Sequence, residues 1–208
     1  EGAFMRFPVK LRDLTEEEYK RIVKRSRKKL KQIFSEIIPI IEQVKEEGDE
    51  AVLKFTRKFD GIVLSLNQIR VNREKIKQAY RKVSPGLIQS LKKMKEQIED
   101  FHRHQIRRDY IFKKSFSGKE GTSYILGERF VPVKRAAVYV PGGKANYPST
   151  VMMGVVPAKL AKVPEVTVAS PPEISPSVMV ASDIAGADVL INAGGPQAIS
   201  ALAYGTQI

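Results

Sequence analysis

The chain has 208 residues, 36 Lys and Arg against 23 Asp and Glu, a formal net charge of +13 and a hydrophobic fraction of 42%. That fraction suffices for a core, the lack of cysteine excludes a disulfide framework and thiolate catalysis, and no apolar run has membrane-spanning length or the look of a signal peptide. A cytoplasmic location is expected, with no membrane contact, and Met5 reads as a natural start behind a short cloning remnant, Glu1 to Phe4.

The first half reads as helical. Thr15-Glu-Glu-Glu18 has the form of a capping box, and Lys29 to Glu47 carries Ile33, Phe34, Ile37, Ile38, Ile41 and Val44 at helical spacing until Gly48. Asp49 is placed to cap a helix over Glu50 to Phe59, with Asp60-Gly61 as its turn. Ile69 to Val71 reads as a short strand, and Asn72 caps a helix that runs through Val83. Ser84-Pro85 opens another, whose Ile88, Leu91, Met94, Ile98 and Phe101 form one apolar stripe belonging to a core. His102 and His104 follow at a spacing of two, which suits a strand; at a helix end it sends the rings to different faces, and no third metal ligand accompanies them.

Residues 107–135 read as extended segments around turns at Ser117-Gly118 and Gly121, forming a hairpin. Beyond it the pattern changes. Ala136 to Val140, Val166 to Ser170 and Val189 to Asn192 are short β-branched or apolar runs that alternate with helical stretches, as a parallel sheet with crossover helices requires. Pro141-Gly142-Gly143, Pro171-Pro172 and Gly194-Gly195-Pro196 close the three strands. Pro148 and Ser175-Pro176 then start helices, and a third helix begins near Gln197 and ends at Gly205. The expected fold class is α/β, a helical amino-terminal segment followed by an incomplete Rossmann-like parallel sheet.

Loops of this kind invite a nucleotide, because backbone amides at a helix start receive phosphate or ribose oxygens. Neither the G-x-G-x-x-G fingerprint nor a P-loop is present, so pattern alone does not name the ligand. Charge raises a different class. Of the 36 basic and 23 acidic residues only three and four lie in 136–208, so the positive excess belongs to the first 135 residues. Lys20 to Lys31 is the densest stretch, yet acids follow closely, no stacking aromatics interleave, and no helix-turn-helix or zinc-finger pattern appears. A solvated surface, rather than a nucleic-acid interface, accounts for it.

The wording of the loops is specific. Tyr139-Val-Pro-Gly-Gly-Lys-Ala-Asn-Tyr147-Pro-Ser-Thr, Val166-Thr-Val-Ala-Ser-Pro-Pro172, Asp183-Ile-Ala-Gly-Ala-Asp188 and Gly194-Gly-Pro-Gln197-Ala-Ile-Ser-Ala-Leu-Ala-Tyr204-Gly-Thr206 closely resemble histidinol dehydrogenase. The resemblance extends upstream through Glu47-Gly-Asp49 to Asp60-Gly61 and through Phe101-His-Arg-His-Gln105, and so covers most of the chain as an amino-terminal portion.

The resemblance implies NAD-dependent oxidation of L-histidinol to L-histidine through an enzyme-held aldehyde, with a zinc ion at the site and a homodimeric assembly. It implies that Tyr139 and Gln197 contact NAD, while the zinc ligands and the proton-transferring pair lie in sequence that would follow Ile208, so no catalytic or metal-binding residue is assigned here. It also implies a division into an amino-terminal tail and first helix (1–26), part of a first, mostly helical and incomplete α/β domain (27–135), and a truncated Rossmann-like NAD-binding segment (136–208). The isolated chain is then expected to be inactive on histidinol. The competing readings are a non-enzymatic basic nucleic-acid-binding module and a related dehydrogenase for another amino alcohol.

Overall fold

A computed structural model describes residues 10–23, 27–115, 123–143 and 146–207. Helices α1 (Glu16–Val23), α2 (Arg27–Glu47), α3 (Asp49–Asp60), α4 (Leu66–Ile69), α5 (Arg73–Tyr80) and α6 (Pro85–Arg103) precede the hairpin β1 (Tyr110–Ser115) and β2 (Ser123–Glu128). The alternating segment follows as β3 (Arg135–Tyr139), α7 (Pro148–Leu160), β4 (Glu165–Ser170), α8 (Pro176–Ala185), β5 (Val189–Asn192) and α9 (Gly195–Tyr204).

The local signals act as their chemistry dictates. Thr15 N–H donates to Glu18 Oε2 at 3.0 Å and Glu18 N–H donates to Thr15 Oγ1 at 3.2 Å, the two halves of a capping box. Asn72, Ser84 and Ser175 cap α5, α6 and α8 by accepting from the backbone N–H three residues on. Gly61 and Gly186 end α3 and α8 in the left-handed conformation that a Cβ disfavours.

β3, β4 and β5 form a parallel sheet in that order, with Val138 opposite Val168 and Val168 opposite Leu190. Alternation along the strands feeds two cores. Val138, Val166, Val168 and Leu190 face α5, α6, α7 and α8, whereas Tyr139, Ala169 and Ile191 face α2, α3 and α9. The fold is thus α/β, an amino-terminal helical segment laid over both faces of a three-stranded Rossmann-like sheet.

The structure corrects several sequence expectations. Residues 69–71 do not make a strand: Leu66–Ile69 is a helical turn, after which Arg70 forms one bridge with Ile191 and Val71 N–H donates to Leu190 O at 2.8 Å. The Ser65/Gln68 capping box outweighs the β propensity of an isolated Ile-Arg-Val. Asp49 is the first residue of α3 and Gly48 its cap. α5 stops at Tyr80, and α9 starts at Gly195, two residues before Gln197. Of the α6 stripe, Leu91 and Ile98 are buried but Phe101 is 65% exposed, because the helix outruns the layer it covers. The hairpin forms as expected; its turn, at Ser117-Gly118 and Gly121, lies outside the described residues, as do Glu1 to Met5.

Candidate functional site at the strand ends

The three loops at the carboxyl ends of the strands meet at Pro171. A Cβ added at Gly194 would lie 2.5 Å from Pro171 Cγ and 3.0 Å from its Cα, so only glycine lets the loop after β5 close on the loop after β4. From this seam α9 departs. Its first residue, Gly195, has φ +67°, and its N–H donates to Tyr139 Oη at 3.2 Å. The tyrosine at the end of β3 is thereby tied to the helix start after β5, two strands away.

Gln197 sits in the first turn of α9 and is 1% exposed. Its Oε1 and Nε2 are both buried, and neither has a hydrogen-bond partner among the described residues. A buried amide without partners costs on the order of 1–3 kcal/mol, so it calls for a partner that the described residues do not supply. The side chain folds back over Gly195, where an added Cβ would lie 2.6 Å from Gln197 Oε1.

Gln197 lines a cavity of about 750 Å³ between α2, α3 and the start of α9. Its walls include Ile37, Pro39 and Ile40 of α2 and Phe55 and Phe59 of α3, whose rings stack at 5.6 Å with planes 8° apart. Phe59 remains 50% exposed, and Lys58 Nζ lies 5.5 Å from its ring centroid. Glu36, Lys58 and Asp60 are its charged lining residues. Partial desolvation holds the Asp60 carboxyl above the usual aspartate value.

A larger cavity, about 900 Å³, lies between the end of α6, the strand linkers and the end of α7. Because α7 runs back toward the start of β4, this cavity is at the opposite end of the sheet from the loops that meet at Pro171. It has no buried unpartnered polar side chain, and α/β sheets take ligands at the carboxyl ends of their strands. The smaller groove is the better site on both grounds.

The structure brings Tyr139 and Gln197, the two residues singled out from the sequence, to one helix start, with Gly195 between them. The hydroxyl of Tyr139 accepts there and keeps its own hydrogen to donate. Sequence reasoning missed the α2 and α3 side of the groove, since an apolar helix face such as Phe55 and Phe59 carries no signal that separates core from ligand platform. His102 takes no part: its Nδ1 lies 2.7 Å from Gln105 Oε1 at the end of α6, and His104 is the residue that ends that helix. Among the described residues no group of three His, Cys, Asp or Glu is placed to hold a metal ion, so the donors present do not fit a zinc site.

Fold and groove together define a Rossmann-like α/β protein with a groove between α2, α3 and the start of α9, beyond the carboxyl end of β5. Comparison with known proteins is more specific: the family model described as histidinol dehydrogenase matches residues 23–208, and the chain belongs to that family.

Histidinol dehydrogenase of Methanococcus maripaludis is 41% identical over 201 residues, covering 95% of this chain and 46% of the relative. That of Methanocaldococcus jannaschii is 36% identical over 202 residues, with the same coverage of 95% and 46%. The crystal structure of histidinol dehydrogenase from Elizabethkingia anophelis superposes with a TM-score of 0.73 at 32% identity, over 83% of this chain and 39% of that one. The chain thus spans about half the length of the curated relatives it matches.

Proposed function

We propose that this chain supplies the dinucleotide-binding part of an NAD-dependent oxidoreductase that converts L-histidinol to L-histidine through the aldehyde, the last steps of histidine biosynthesis. The observation that carries this reading is the buried amide of Gln197, unpartnered among the described residues at the wall of a groove whose Gly195 donates its N–H to Tyr139. Family membership supports it.

NAD, when bound, supplies the hydride acceptor. The residues of this chain bind and orient it. The Gln197 amide both donates and accepts, and so reads a base edge or a ribose without a glycine fingerprint. Tyr139, its oxygen held by the Gly195 N–H, donates its remaining hydrogen from a fixed position. The family's zinc is assigned to no residue here, and no step is derived through it.

The homodimer and the division at residue 136 stand as proposals for the longer family fold, and the cytoplasm as the proposed location; no helix among the described residues is long and apolar enough to cross a membrane. With no proton-transfer group assigned, the chain by itself is expected to produce no NADH from histidinol.

Calorimetric titration with NAD tests the reading. Tyr139→Ala and Gln197→Ala are each expected to weaken binding by about tenfold, with unchanged far-ultraviolet circular dichroism. Equal NAD affinity in both variants and the parent would refute it. Salt-sensitive binding to DNA or RNA in place of NAD would favour the basic-module alternative.

A further inference from the structure

The amide of Gln197 cannot meet a ligand in the groove from where it stands. The residue is 1% exposed and both polar atoms of its side chain are closed to solvent, so an atom arriving through the groove finds no approach at hydrogen-bond distance. Contact requires the side chain to move. No polar contact resists, because neither atom has a partner among the described residues and leaving breaks no hydrogen bond.

The place the amide occupies exists only because residue 195 is glycine. A Cβ there would lie 2.6 Å from Gln197 Oε1 and 3.3 Å from both its Cδ and its Nε2. All three atoms belong to the far end of a flexible side chain, so an added methyl group would displace the amide and leave the helix start where it is. The glycine itself is held: it has φ +67°, its N–H donates to Tyr139 Oη at 3.2 Å, and the preceding Gly194 fits against Pro171. A fixed backbone thus lies under a side chain with no polar anchor.

We propose that Gly195 is a positioning residue of the groove: the space of its missing Cβ is a seat from which the Gln197 amide swings out when a ligand arrives. The inference rests on the dinucleotide reading above and adds a side-chain step to it. Seated, the amide is hidden; swung out toward the cavity between α2, α3 and the start of α9, it offers a donor and an acceptor. Because only the outward position binds, the seat weakens the apparent affinity in proportion to the fraction of molecules in which it is filled. Closing the seat therefore tightens binding.

Nuclear magnetic resonance of the 208-residue chain reads the swing. The side-chain NH2 pair of Gln197, identified by its loss in Gln197→Ala, is expected to exchange slowly with water in the free parent and to shift on saturation with NAD. Gly195→Ala is expected to bring that pair to the fast exchange of a solvated glutamine without NAD, and to tighten NAD binding about threefold by calorimetry. In a Gln197→Ala background the same substitution is expected to gain nothing, whereas an effect on the helix start alone would persist there. A pair in folded Gly195→Ala that exchanges as slowly as in the parent overturns the assignment and leaves the dinucleotide reading intact. Should Gly195→Ala fold poorly, the parent still decides, since a pair unmoved by saturating NAD overturns the swing. A parent chain that binds no NAD overturns both.

Discussion

Gln197 is where stability and binding pull apart most clearly. Its amide is shut away from solvent without a partner, so replacing it by an apolar side chain of similar size removes a desolvation cost and no contact. Gln197→Leu is expected to raise the unfolding free energy by about 1 kcal/mol, read by urea titration, while NAD affinity falls. A stability loss would mean that the amide has partners in solution. Gly194→Ala should do the reverse, since its Cβ meets Pro171 at 2.5 Å and backbone must shift. A loss of about 1–3 kcal/mol is expected. The identities of Tyr139 and Gln197 were readable in the sequence only through the family wording around them. Asp60 read as a turn residue, because a chain pattern shows where α3 ends but not that its last side chain borders a groove made with α2 and α9.

Secondary structure was most legible where a cap and a period agree. The capping box at Thr15, the Asn72, Ser84 and Ser175 caps and the three strand runs all fall where residue chemistry puts them. The strand expected at residues 69–71 was lost to a local competitor, the Ser65/Gln68 box, which fixes a helical turn before any sheet partner is found. Burial was less legible than helicity. Ile33, Phe34 and Ile38 of α2 have the spacing of a core face yet stay 44–58% exposed, because no described layer covers that half of the helix. The β1–β2 hairpin is similarly bare, with Ile111 77% exposed and each strand paired only to the other. Two strands alone are marginal in water. Hydrogen exchange is therefore expected to proceed much faster in β1 and β2 than in β4, which is paired on both sides; equal protection would mean that the hairpin is covered in solution.

At the scale of the whole molecule two aspartates set opposite pH dependences. Burial pushes Asp188 upward, but the Val166 N–H at 2.7 Å and Lys159 Nζ at 2.9 Å outweigh it and leave its carboxyl below the usual value. The stability it contributes is complete above the ordinary aspartate range and is lost as pH falls through its lowered folded value. Asp60, raised by desolvation, works the other way: the folded state gains stability as pH falls through its elevated value. Asp188→Asn is expected to flatten the acid limb of a stability profile and Asp60→Asn to steepen it, as measured by denaturant midpoints between pH 7 and roughly pH 3.

The sheet also has an asymmetric rim. β5 is bordered by Arg70 and Val71, whereas β3 has a neighbour on one side only among the described residues. Since α9 leaves β5 toward the face opposite α7 and α8, a right-handed connection to any later parallel strand must travel back across β4 and join beyond β3. Strand order would then reverse direction beside Tyr139. Such a reversal would open a crevice in the sheet of the kind that receives ligands, and it would turn a border tyrosine into a central one.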